Sequence, residues 1–269
     1  MNGIVKVKKK ILITGINSYI GNSFAEYCKE DFTIDKISLR DESWKDFDFS
    51  KYDSILHVAG IAHTSKDPSL KDKYYAVNTE LTYQVAKKAK QDGVSQFIFM
   101  SSIIIYGDSA SIGQQKIITK NTIPKPDDFY GDSKLQAEGR LQTLVDASFK
   151  IAIIRPPMIY GDGSKGNYPK LVKLAKYAFI FPNIKNQRSV LHIDKLSQEL
   201  KLITEGEKKG IFMPQDDEYF CTSQFIKSYR CDIFGKKTYL TSVFNPIIRL
   251  MAKKIGFVNK AFGNLIYEK

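Results

Sequence analysis

The chain has 269 residues, 43% of them hydrophobic, with 41 Lys and Arg against 29 Asp and Glu, a formal net charge of +12. That supports a sizeable core in one large domain or a domain with a smaller companion. No stretch approaches the roughly 18 apolar residues that span a bilayer, and residues 1–10 carry lysines where a signal peptide is apolar, so a cytoplasmic protein is expected.

The positive excess admits nucleic acid, an anionic membrane or a phosphorylated small molecule as partner. The lysines are scattered: Lys6, Lys8, Lys9 and Lys10 before the first apolar run, Lys170, Lys173 and Lys176 along one helix face, Lys253 and Lys254 near the end. This reads as solvated faces. No compact basic patch with interleaved aromatics and no recognition motif is present, so no specific nucleic-acid partner is expected. Cys28, Cys221 and Cys231 are odd in number and lack CxxC spacing, which indicates reduced packing residues and no metal site.

In chain order, residues 11–14 read as a strand, 19–29 as a helix, and 35–39 and 54–58 as strands. Residues 74–90 repeat apolar side chains at helical spacing and stop at Gly93, 96–100 form a buried strand, 130–145 a helix and 151–154 a strand. This alternation predicts an α/β fold, a Rossmann-type doubly wound parallel sheet with ligands at the carboxyl ends of its strands. Beyond Arg155 the pattern weakens into loops around 161–166, a lysine-striped helix over 169–178 and a turn at Pro182. The expected division is 1–160 as the sheet domain and 161–269 mainly as a smaller cap, with a segment near 188–204 returning to the first domain.

Residues 11–21 run from a buried strand through a tight turn into a helix. Gly15 permits the turn, Gly21 permits close helix packing, and the helix N-terminus around Asn17, Ser18, Tyr19 and Ile20 offers amides to a pyrophosphate. Ser18 stands where a further glycine is usual. Tyr130 and Lys134 are four residues apart, on one helix face, so an ammonium beside the phenol is expected to favour phenolate and make the tyrosine a usable base. Ser102 ends the strand that precedes them.

These motifs, with His57-Val58-Ala59-Gly60, Tyr106-Gly107, Arg155-Pro156-Pro157-Met158-Ile159-Tyr160-Gly161 and Arg188-Ser189-Val190-Leu191-His192-Ile193-Asp194, resemble the extended short-chain dehydrogenase/reductases, particularly the NAD-dependent epimerase/dehydratase group that handles nucleotide-linked sugars. The resemblance covers most of residues 10–200. It implies Tyr130 as acid/base, Lys134 as its activator and ribose ligand, and Ser102 as hydrogen-bond donor to the reacting oxygen. It implies NAD(P) bound by Gly15 to Gly21, Arg40, Ala59 and Gly60, and a nucleoside-diphosphate sugar contacted by Arg188, Lys165 and Asn167; a homodimer is compatible with it.

At Ser38-Leu39-Arg40-Asp41, Arg40 and Ser38 lean toward NADP, and Asp41 toward NAD. Met158 stands where many relatives have asparagine, and the chain is shorter than many of them, which suggests a reduced cap. Elimination calls for further carboxylates near the serine, and Ile103-Ile104-Ile105 offers none, so a dehydratase is disfavoured. The expected activity is 4-epimerisation of a UDP-hexose or UDP-N-acetylhexosamine in surface polysaccharide assembly. A nucleotide 4-ketosugar reductase, or a non-catalytic NAD(P)- or nucleic-acid-binding protein, is the alternative. His57, His63 and His192 read as structural. Residues 244–262 mix Ile247, Ile248, Leu250 and Met251 with Arg249, Lys253 and Lys254, which fits core packing with a wet basic edge, contact with an anionic membrane being the other reading.

Overall fold

The computed structural model describes residues 8–62, 67–254 and 256–269, which leaves His63 outside. The chain forms two compact units.

The first unit comprises Met1–Ile105, Pro126–Pro156 and Ile193–Pro214. Its sheet is built from Lys10–Thr14 (β1), Thr33–Ile37 (β2), Ser54–His57 (β3), Gln96–Met100 (β4), Lys150–Ile154 (β5) and Gly210–Phe212 (β6). All pairings are parallel, in the order β2-β1-β3-β4-β5-β6. Uninterrupted apolar runs such as Ile11-Leu12-Ile13, fully buried, are what strands covered on both faces require. Because β2 and β3 flank β1 on opposite sides, the carboxyl end of β1 is the topological switch point, where open α/β sheets take ligands.

The helices of this unit are Tyr19–Tyr27 (α1), the continuous segments Lys71–Tyr74, Tyr75–Leu81 and Thr82–Gln91 (together α2, the middle segment π-helical), Phe129–Gln142 (α3) and Ile193–Glu205 (α4). The core joins Leu12, Phe97, Phe99 and Ile153 to Val85, Ala86, Ala137 and Leu141 from α2 and α3. The second strand begins and ends two residues before its expected bounds, so Ser38 to Asp41 lie beyond it. No described strand stands between β2 and β3; the single turn Glu42–Lys45, capped by Asp41, buries Trp44 there instead.

The second unit comprises Tyr106–Lys125, Pro157–His192 and Gln215–Lys269. This corrects the expected boundary: residues 106–125 belong here, because Ile117–Ile118 pairs with Ile266–Tyr267 and Ala110 bridges to Asn264. The return to the first unit spans residues 193–214, since Val190–His192 is paired with Met158–Tyr160 in the second. Helices Asn167–Tyr177, Thr222–Phe234, Asn245–Lys254 and Gly256–Phe262 and the strand pair Ile180–Pro182 with Tyr239–Thr241 complete it. Ala175, Phe181, Ile184, Ile226 and Phe262 form its core. Among the described residues no helix is long and apolar enough to cross a membrane.

Candidate active site

The turn from β1 into α1 is held open by its glycines. Gly15 has φ +97°, and a Cβ there would stand 3.2 Å from the Ala59 amide nitrogen, so the turn lies against the segment that leaves β3. At Gly21 a Cβ would come within 2.8 Å of Ile13 Cγ2, which places α1 directly on its strand. Ser18 caps α1, its hydroxyl accepting from the Gly21 amide at 3.3 Å. The first turn of α1 holds no acidic side chain, and Ile16 and Asn17 are exposed beside it. A backbone cradle with helix-terminal positive charge and no competing carboxylate suits a dinucleotide pyrophosphate.

Beyond β2, Arg40 is exposed and Asp41 is engaged locally. The Asp41 carboxylate accepts from the Ser43 amide at 3.0 Å and from the Ser43 hydroxyl, and these bonds hold it below the usual carboxylate range.

The three residues singled out for chemistry sit together in the first unit. Asp128 caps α3, accepting from the Gly131 amide at 2.8 Å. Gly131 lets the helix start lie against the turn that follows Ser102: a Cβ there would be 2.9 Å from the Ile104 carbonyl oxygen. The Ser102 hydroxyl, which accepts from the Ile104 amide at 3.3 Å, thereby lies beside the Tyr130 phenol and favours its ionised form. Lys134, one helical turn on, is buried, donates to the Met100 carbonyl oxygen at 2.9 Å and lies 4.7 Å from the Phe99 ring centroid.

The electrostatics correct one expectation. Burial pushes the Tyr130 phenol up to about 12, opposed by Ser102 beside it, and pushes Lys134 down to about 8, opposed by Glu138. With its ammonium directed to a main-chain carbonyl, Lys134 does not set the resting state of the phenol. Tyr130 therefore rests protonated, and Ser102 is the group that favours its ionisation.

Two features escaped sequence reasoning. Asn78, buried in the π-helical turn of α2, donates to the Ile61 carbonyl at 3.0 Å and to Ser133 Oγ at 3.1 Å, and accepts from the Ile61 amide at 2.8 Å. It ties the loop after β3 to α3 between Tyr130 and Lys134; a Cβ on Gly60 would meet both Asn78 Oδ1 and Lys134 Nζ. The available signal was an asparagine inside an amphipathic helix. Near the serine there is also a carboxylate, Glu138, which accepts from Ser101 Oγ at 2.5 Å and from Arg155 Nη2 at 2.6 Å. It is paired within a buried cluster.

In the second unit, Met158, Asn167, Leu171, Arg188, Phe220 and Lys260 line one hollow. Arg188 Nη1 donates to Ser109 Oγ at 2.7 Å; burial lowers the guanidinium to about 10, with Asp108 opposing. Lys260 pairs with Asp108 at 3.2 Å. Lys165 is exposed in the preceding loop and does not line the hollow. His57 is buried between Thr14 and Thr82, at 2.8 and 3.0 Å, and is pushed down to about 3, the behaviour of a structural histidine. His192 packs edge-on to Tyr160.

A sequence profile of the NAD dependent epimerase/dehydratase family matches residues 11–210. A UDP-glucose 4-epimerase of Vibrio cholerae is 28% identical over 290 aligned positions, covering 97% of this chain and 87% of that one. An N-acetyl-α-D-glucosaminyl-diphospho-ditrans,octacis-undecaprenol 4-epimerase of Escherichia coli O157:H7 is 27% identical over 61% of this chain and 53% of its own length. The crystal structure of a dTDP-4-dehydrorhamnose reductase from Bacillus anthracis in complex with NADP superposes with a TM-score of 0.71 at 16% identity, covering 97% of this chain and 91% of that one.

Proposed function

The chain belongs to the NAD dependent epimerase/dehydratase family, and we propose that it is an NAD(P)-dependent 4-epimerase of a UDP-hexose or UDP-N-acetylhexosamine. The observation that carries this reading is the placing of Ser102, at the carboxyl end of β4, beside the Tyr130 phenol, with buried Lys134 one helical turn beyond Tyr130.

When bound, NAD(P) supplies the hydride acceptor and donor. In its ionised form, which Ser102 favours, Tyr130 takes the proton of the C4 hydroxyl as C4 becomes a ketone, and returns a proton to the same oxygen when the ketone is reduced on its opposite face. Ser102 donates to that oxygen and holds it at the phenol. Lys134 supplies positive charge that stabilises the phenolate and would contact the ribose of the bound cofactor. Gly15, Asn17, Ser18, Tyr19, Ile20 and Gly21 would hold the pyrophosphate, beside Ala59 and Gly60. Arg188, Asn167 and Lys165 are the proposed contacts of the substrate diphosphate.

A second reading, reduction of a ready-made nucleotide 4-ketosugar, is favoured by one observation: the resting phenol is protonated and suited to donate to a ketone oxygen. Exposed Arg40, with Asp41 committed to its own turn, favours NADPH as cofactor for either course.

Incubating the protein with UDP-N-acetylglucosamine and catalytic NAD(P), followed by chromatography, tests the proposal. A second UDP-hexosamine peak supports the epimerase. No peak, together with NADPH consumption on a UDP-4-ketohexosamine, supports the reductase.

A further inference from the structure

We infer that the second unit carries a docking surface for an anionic lipid bilayer, formed by exposed apolar side chains of its strand edge and penultimate helix within a stretch of sequence that holds cations and no carboxylates. Residues 163–193 and 233–267 contain no Asp or Glu, and each stretch holds six Lys or Arg. Two of these twelve, Arg188 and Lys260, belong to the hollow described above, which leaves ten in the two stretches outside it.

The apolar residues form one surface. Tyr239 pairs in register with Ile180, and the Phe179 and Tyr239 rings stand 5.3 Å apart. The Asn183 amide donates to the Thr241 carbonyl at 2.8 Å, and Asn245 Nδ2 donates to the Asn183 carbonyl at 2.9 Å, which joins the strand edge to helix Asn245–Lys254. On this surface Phe179, Tyr239, Val243, Phe244, Ile247 and Leu250 are between 43% and 77% exposed.

The helix sorts its own residues. Ile248 packs against the core cluster of Phe181, Ile184 and Ile226, whereas Ile247, Leu250 and Met251, at i, i+3 and i+4, face outward. Core packing therefore accounts for Ile248 and leaves an apolar stripe in water. Lys176, Lys236, Lys237 and Arg249 are exposed nearby, and none pairs with a carboxylate among the described residues.

A contiguous exposed patch of this kind marks an interaction site. Exposed aromatics and aliphatics with exposed lysines and an arginine close to them in sequence suit the headgroup–acyl boundary of an anionic leaflet, where the apolar groups leave water and the cations meet phosphate. A symmetric second copy would set these cations against themselves. Nucleic acid has no use for Val243, Ile247 and Leu250.

The test is co-sedimentation of the full chain with vesicles of equal parts phosphatidylglycerol and phosphatidylcholine, and with phosphatidylcholine alone. The protein sediments with the anionic vesicles, less so at high salt, and not with the neutral ones. The double substitution Ile247→Asp/Leu250→Asp lowers that binding roughly tenfold or more, with turnover and circular dichroism unchanged; Lys236→Gln/Lys237→Gln, which leaves the helix intact, weakens it as well. Failure to sediment with anionic vesicles overturns the inference, as does binding indifferent to both double substitutions. A lipid-free dimer abolished by the aspartate pair also overturns it and assigns the face to a second copy.

Discussion

Lys134 donates its ammonium hydrogen to the carbonyl oxygen of Met100 at 2.9 Å, which ties the helix bearing Tyr130 to the end of the strand that delivers Ser102. The bond gives a buried lysine a neutral partner, so its charge is expensive and its proton loosely held.

A stability signature follows from that cost. The folded value of about 8 lies below the ordinary 10.5, so between these pH values the unfolded chain binds a proton that the folded chain has lost. Stability therefore rises with pH across this window, by up to about 3 kcal/mol. Denaturant midpoints measured from pH 8 to 10.5 show this rise in the parent and a smaller one in Lys134→Met.

Tyr130→Phe keeps the ring that packs against Tyr74 and removes the phenol proton that the proposed reaction moves. Turnover falls by about 100- to 10,000-fold, the usual worth of a positioned acid/base, while circular dichroism is unchanged. Retained turnover in this variant removes Tyr130 from its assigned role.

Gly131→Ala tests the close approach of α3 to the turn after Ser102. A Cβ at 2.9 Å from the Ile104 carbonyl oxygen forces the helix start away from that backbone. Because the displaced group is the phenol and not the dinucleotide cradle, kcat falls more than affinity for NAD(P), which stopped assays and cofactor titration separate.

Much of this arrangement was legible in the sequence because it depends on local chemistry. The buried run Ile11-Leu12-Ile13, the glycine turn after it and the Tyr130–Lys134 spacing each fix an element and its facing side chains within a few residues. What was not legible depends on contacts between distant segments. The pairing of Ile117–Ile118 with Ile266–Tyr267, across about 150 residues, moves 106–125 into the second unit. Asn78 becomes significant only when its helix brings it to Ile61 and Ser133. The Tyr130 phenol rises because burial outweighs helical spacing, a balance that spacing alone does not carry.

Arg40→Ala addresses cofactor choice. With Asp41 capping its own turn, Arg40 is an exposed cation beyond β2, and the expected result is tighter binding of NADPH than of NADH in the parent. The substitution removes that preference by weakening NADPH alone, as read by fluorescence titration of both cofactors. Equal affinities in the parent contradict the assignment.

The central claim is that hydride leaves C4 and returns to C4 of one sugar while Tyr130 carries the proton. Incubating the holoenzyme with UDP-N-acetylglucosamine deuterated at C4 and analysing the product by mass spectrometry and proton NMR tests it most directly. The account predicts the C4 epimer with deuterium retained at C4. An epimer whose C4 label has been replaced by solvent hydrogen contradicts it.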